Sequence, residues 1–86
     1  MPDPIDPRTI AILGATLDDA RRWREEHPAL QGARLYSPLS RSLDGAIVSD
    51  LYTTPAFDLL RSRDAEIALV MMRRNLAKMQ GARRGG

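Results

Sequence analysis

The fold is decided by one stretch near the amino end, which reads Thr9-Ile10-Ala11-Ile12-Leu13-Gly14-Ala15-Thr16-Leu17-Asp18-Asp19-Ala20. Its first six residues are almost wholly apolar and rich in β-branched side chains, which is typical of a strand covered on both faces. Thr16 then provides a helix N-cap, and the aspartates at 18 and 19 favour the positive end of the helix dipole. The stretch predicts a strand over 9–14 followed by a helix.

The first predicted helix runs to about Glu26. His27-Pro28 ends it, because a residue before proline disfavours helical backbone angles. Its apolar residues form a narrow stripe, which we expect to lie on a sheet: Leu17, Ala20 and Trp23. The spacing of Asp18 and Arg22 predicts an ion pair on the opposite, solvated face.

Two more strands are predicted downstream of this helix. Residues 33–37 alternate small or apolar side chains with polar ones before Pro38, and residues 46–52 form a third strand. Between them, residues 39–45 are expected to form a connector with one short helical turn. A strand, a helix and a second strand in this order predict a right-handed crossover with the first two strands parallel. We expect the third strand on the other side of the first, which predicts the sheet order 2-1-3.

Thr54-Pro55 repeats the start signal of a helix, with Thr54 as the N-cap and Pro55 at the first helical position. The segment that follows is predicted to be helical to about Met79. It forms either one helix or two, and in the second case Ser62 caps the second helix. The sequence therefore predicts a long helix at the carboxyl end of the domain.

The whole chain is predicted to be a small, three-layer-like α/β domain with the element order β-α-β-β-α(α). The domain covers residues 9–79, with an extended proline-rich leader over 1–8 and a flexible basic Gly/Arg tail over 80–86. This outline corresponds to about half of a nucleotide-binding α/β domain. A complete domain of that kind has more strands than the three predicted here.

The composition narrows the function classes. The chain of 86 residues has no cysteine, which excludes disulfides, thiolate nucleophiles and the common structural zinc sites and suits a cytoplasmic location. Its longest apolar run, over 67–72, is far below the ~20 residues of a membrane span, so no membrane partner is expected. Twelve of the 13 basic residues are arginine, a bias that GC-rich codons produce. A high-GC bacterium or a phage is the expected source.

The net charge of +2 conceals an uneven distribution. Residues 1–60 carry six basic and nine acidic side chains, a balance of −3, whereas residues 61–86 carry seven and two, a balance of +5. A basic end is typical of weak nucleic-acid contacts, and it also serves simply to keep a protein in solution. The candidate nucleic-acid contacts are Arg73, Arg74, Lys78, Arg83 and Arg84.

The turn Gly14-Ala15-Thr16 is a candidate anion site. It lies between the first strand and the first helix, where doubly wound proteins hold phosphate on helix-terminal amides. The turn lacks the glycines and the lysine of the known phosphate-binding loops, and the aspartates that follow place negative charge where a phosphate would bind. We therefore favour a purely structural turn, and expect no cofactor.

Carboxylates and one imidazole suggest two further hypotheses. Asp50, placed near the end of the third predicted strand, could join Asp18 and Asp19 in a magnesium site. Capping and solvation explain these aspartates more simply, so no metal is expected. His27 is the one histidine, but a general base needs an orienting partner, and the sequence shows none. No residue is therefore predicted to be catalytic.

The long helix is apolar on more than one side. We expect Leu60, Ile67 and Met71 to cover the sheet. The other side is predicted to be an interface with another chain: Ala68, Leu69, Met72, Leu76 and Met79. A three-stranded sheet covers only one side of a helix, and methionine suits an adaptable surface.

Three roles follow from these observations. The leading one is a non-catalytic protein-interaction module that forms a homo-oligomer through its C-terminal helix and acts as an accessory protein by binding another protein. The second is a nucleic-acid-binding accessory protein that uses the basic end. The third is a small nucleotide- or phosphate-binding enzyme, which depends only on the 14–16 turn and Asp50.

Overall fold

Three parallel strands form one sheet in the order β2-β1-β3. They are β1 (Ile10–Leu13), β2 (Arg34–Tyr36) and β3 (Asp50–Thr53). The computed structural model describes residues 9–41, 43 and 45–84, so the predicted leader over 1–8 lies outside the described residues. The predicted α/β class, parallel pairing and strand order are confirmed.

Helix α1 (Leu17–Glu25) follows β1 as the capping pattern predicts. The Thr16 hydroxyl accepts a hydrogen bond from the Asp19 amide at 3.0 Å, and Asp18 pairs with Arg22 at 3.2 Å. A single 3₁₀ turn, Pro28–Leu30, then leads towards β2. The short helical turn predicted for 39–45 is not found among the described residues of that connector.

Two helices follow β3, α2 (Pro55–Asp58) and α3 (Arg63–Arg84). Thr54 caps α2, since its hydroxyl accepts from the Phe57 amide at 3.1 Å. The Ser62 hydroxyl accepts from the Ala65 amide at 3.2 Å in the same way at the start of α3. The two-helix alternative is therefore the one observed.

The third strand starts later than its apolar pattern predicts. It covers Asp50–Thr53 rather than 46–52, although the Ser49 amide already donates to the Thr9 carbonyl at 2.8 Å. The preceding loop nevertheless contributes to the core, because Val48 is fully buried. An apolar run can be satisfied by packing a loop against the core as well as by a strand, and this explains the error.

The central strand divides the core into two parts because its side chains alternate between the faces of the sheet. Ile12 packs towards α1 with Ala20 and Ala33. Ala11 and Leu13 point to the opposite face, where they pack with residues of β2, α2, α3 and the loops: Tyr36, Leu43, Val48, Phe57, Ala65, Ala68 and Met72. Helices thus cover both faces of β1, as its continuous apolar sequence predicts.

The orientation of α3 about its axis differs from the prediction. Ala68 and Met72, assigned to the outer interface, are 1% and 0% exposed and pack into the core. Ile67, predicted to cover the sheet, is 49% exposed instead. The small alanines at 65 and 68 allow the helix to lie close to the sheet, and this close approach brings the side chain of Met72 into the core.

The carboxyl end of α3 also extends further than expected. The helix continues to Arg84, so most of the segment predicted to be a tail over 80–86 is helical. At 22 residues, α3 has a length of about 33 Å. No helix in the described part of the chain is both long and apolar enough to cross a membrane.

Candidate functional site

The fold has one position where parallel sheets usually bind ligands. The chain leaves β1 towards α1 on one face and leaves β3 towards α2 and α3 on the other face. The carboxyl ends of these two neighbouring strands therefore form a topological switch point. The turn Gly14-Ala15-Thr16 and the N-cap Thr54 lie there.

The chain's own Asp19 carboxylate occupies this position. Its Oδ2 atom accepts a hydrogen bond from the Ala15 amide at 2.9 Å and another from the Thr54 hydroxyl at 2.5 Å. Thr54 is fully buried, so its hydroxyl depends on partners within the chain. One carboxylate thus joins the two turns that border the switch point.

The strand and the helix also approach each other closely at Gly14. A Cβ atom built on Gly14 would lie 2.7 Å from the Ala20 amide nitrogen and 2.8 Å from the Thr16 carbonyl oxygen. Both contacts are with backbone, which cannot move aside as a flexible side chain can. The glycine is therefore required by helix–strand packing, and its amide donates to the Tyr36 carbonyl at 3.0 Å.

These contacts bear on the candidate anion site at 14–16. The amide of Gly14 has a carbonyl partner, the amide of Ala15 has a carboxylate partner, and the oxygen of Thr16 caps α1. A phosphate would have to displace the negative charge of Asp19 to reach the Ala15 amide. The arrangement favours the structural interpretation of the turn, and the absence of nucleotide binding stays a prediction.

The proposed carboxylate cluster does not form. Asp50 is the first residue of β3 and lies beside Ile10 at the amino end of β1. Asp18 and Asp19 lie beyond the carboxyl end of β1, and the strand between them is about 10 Å long. No group of three potential metal-binding side chains exists among the described residues.

His27 lies at the end of α1 against Trp23. The two rings stack with centroids 3.8 Å apart and an interplanar angle of 22°. The His27 Nδ1 atom lies 2.7 Å from the Trp23 carbonyl oxygen, so Nδ1 carries the proton and donates. This contact fixes the ring at the helix end, a structural role for the imidazole.

The outer face of α3 provides the second candidate site. We define it by four residues that follow one another at helical spacing, Arg63, Ile67, Val70 and Arg74. Ile67 is 49% and Val70 61% exposed, and both arginines are exposed. Together with Glu66 and Met71, three of these residues line a shallow hollow of about 290 Å³.

This face was missed because the sequence shows two apolar sides of α3 without showing which one meets the sheet. The contacts of Asn75 identify the inner side of α3 in the structure, whereas an asparagine in the sequence would suggest an exposed position. Asn75 is only 8% exposed, and its Nδ2 atom donates to the Leu43 carbonyl at 2.7 Å. This bond holds Asn75 among the buried residues and so marks the side of the helix that faces the core. Ile67 and Val70 lie on the other side.

The other residues of the predicted interface have mixed positions. Leu69 and Leu76 are partly buried and pack against the core. Met79 is partly buried and lines a second groove, of about 410 Å³, with the loop over 45–48. These three side chains therefore offer less free surface than Val70 does.

The basic candidates do not form one stripe. Arg73, Arg74 and Lys78 are all exposed, and they form no ion pair within the part of the chain that the structure describes. Arg73 is rotated by about 100° from Arg74 on the helix, whereas Lys78 lies one turn beyond Arg74 on nearly the same side. Nucleic-acid binding by these residues and by Arg83 and Arg84 stays a prediction.

Comparison with known proteins identifies no relative of the chain. No family model, no curated protein and no solved structure matches it.

Proposed function

We propose that the chain is a non-catalytic protein-interaction module that self-associates through the outer face of α3. One observation carries the proposal. Ile67 and Val70 remain 49% and 61% exposed on a helix whose opposite side is buried in the core. They are one helical turn apart and border the same hollow, so they form a continuous apolar surface rather than isolated exposed residues.

The contacts at the switch point also support the proposal, because they disfavour ligand binding there. Its polar groups already have partners within the chain, through Asp19 and Thr54. Ligand binding at this position would require these hydrogen bonds to be replaced. The outer face of α3 requires no such exchange, because the exposed parts of its apolar side chains contact only solvent.

The size of the surface sets the expected affinity. Full burial of a Val or Ile side chain contributes roughly 1.5–3 kcal/mol, and about half of each is already buried in the isolated chain. Two copies contribute four such side chains, and association has to overcome the loss of rotational and translational freedom. Half-burial of four side chains amounts to about 3–6 kcal/mol before that loss, so we expect a weak homodimer with a dissociation constant of about 1 mM.

A charge placed at the centre of the surface tests the proposal. Val70→Lys should abolish the dimer, because association would bury a further cation beside Arg63 and Arg74. The fold should survive, since the Val70 side chain is 61% exposed. Sedimentation equilibrium measures the association, and circular dichroism measures the fold.

Leu59→Lys is the matched control. Leu59 is 77% exposed and lies in the turn after α2, outside the outer face of α3. The same change there should leave the dimer intact. A wild-type chain that stays monomeric at about 3 mM would refute the proposal, as would a dimer that tolerates Val70→Lys.

Two finer expectations belong with this proposal. As an accessory protein, the chain would present its self-associated form to a further protein partner. The cytoplasmic location indicated by the absence of cysteine also stays a prediction.

A further inference from the structure

The exposed charges of α3 are distributed unevenly along its axis. Near its start lie Arg63, Asp64 and Glu66, with a balance of −1, and all three are exposed. Two to four turns later lie the exposed Arg73, Arg74 and Lys78, with a balance of +3. The apolar pair Ile67 and Val70 separates the two groups.

This distribution distinguishes the two ways in which α3 could meet α3 of a second copy. A parallel pair would place the +3 groups side by side and the −1 groups side by side, so both ends would repel. An antiparallel pair would place each −1 group against a +3 group, so both ends would attract. The helix dipoles also favour the antiparallel arrangement.

From the apolar pair and the charges together, we infer that two copies associate with their α3 helices antiparallel, crossing midway between Ile67 and Val70. The inference rests on the proposed function and specifies its geometry. In this arrangement Glu66 comes close to Arg73 of the second copy, because the two positions lie within about 20° of each other on the helix and about 3 Å apart along the axis of the pair. The reverse contact follows from two-fold symmetry. Arg63 comes level with Arg74 of the second copy, a like-charge contact that limits the affinity.

A spin label measures the orientation. The chain has no cysteine, so Ala77→Cys introduces a single thiol at an exposed position of α3. Position 77 lies 8.5 residues from the crossing point, so two labels in an antiparallel dimer should be separated by about 25 Å along the helix axis. In a parallel dimer they would lie side by side, at about 10 Å.

Charge reversal provides an independent measurement. Glu66→Lys and Arg73→Glu should each weaken the antiparallel dimer about tenfold, because each turns two attractive contacts per dimer into repulsive ones. The double variant should return the dissociation constant to within about threefold of the wild type. In a parallel dimer like charges already face each other, so neither single change would weaken the association.

The outcomes separate the inference from the proposed function. A label separation near 25 Å with rescue by the double variant supports the antiparallel dimer. A dimer with labels side by side, or with no response to charge reversal, overturns the antiparallel geometry and leaves self-association intact. A monomeric labelled chain, with the unlabelled wild type also monomeric, overturns both.

Discussion

The carboxyl edge of the sheet and the outer face of α3 differ in how far the chain itself covers them. At the edge, the fold creates a position suited to a ligand, and Asp19 and Thr54 close it with hydrogen bonds from within the chain. On the outer face of α3, the side chains of Ile67 and Val70 remain about half exposed. The place where a fold usually binds ligands is therefore a poor guide to the surface that a particular chain leaves open.

The largest expected effect separates the two sides of α3. Met72→Ala should reduce the free energy of unfolding by about 2–5 kcal/mol, because Met72 is fully buried and truncation leaves a cavity. Val70→Ala should change it by no more than about 0.5 kcal/mol. Urea unfolding of the two variants at low micromolar concentration measures the difference. Equal losses would show that the outer face belongs to the core.

The next effect tests how closely α1 packs against the end of β1 at the carboxyl edge of the sheet. Gly14→Ala should cost roughly 1–3 kcal/mol, since the added Cβ would meet the backbone of α1 at 2.7 Å. Gly45→Ala is the control, because a Cβ there meets nothing within 4 Å. Thermal unfolding should show a lower midpoint for the first variant only. An unchanged midpoint would mean that the helix can move away from the strand.

The smallest effect tests whether the Asp19 carboxylate closes the edge. Asp19→Ala should cost about 1–2 kcal/mol, because the Ala15 amide and the buried Thr54 hydroxyl lose their acceptor. Asp18→Ala removes a neighbouring carboxylate that pairs only with exposed arginines, and should cost about 0.5 kcal/mol or less. Chemical denaturation gives both values. If the two losses are the same, the edge is not held closed by Asp19.

The parallel sheet was predictable because local signals agreed with one another. The apolar run over 10–13, the threonine caps at 16 and 54, and the proline at 55 each specify one local conformation. A right-handed crossover then leaves few topologies. These signals do not determine the place of the third strand, and the expected order 2-1-3 is confirmed by the structure.

The two sites were less predictable because they depend on contacts between distant residues. Asp19 contacts Thr54 across 35 positions of sequence, and local pattern shows only that each residue can cap a helix. The rotation of α3 depends on Ala68 and Met72 meeting the sheet, whereas periodicity gives only the angle between residues. Both features come from packing, which short-range patterns do not specify.

The position of β1 in the sheet has a consequence for folding. β1 is the first of the three strands in sequence and the central one in space, and its partner Asp50 lies 40 residues after Ile10. During synthesis, β1 therefore leaves the ribosome before either of its partner strands. The edge that pairs with β3 stays unpaired for longer than the edge that pairs with β2. Its apolar side chains and free edges are exposed in that interval, which is when such a segment is most prone to aggregate.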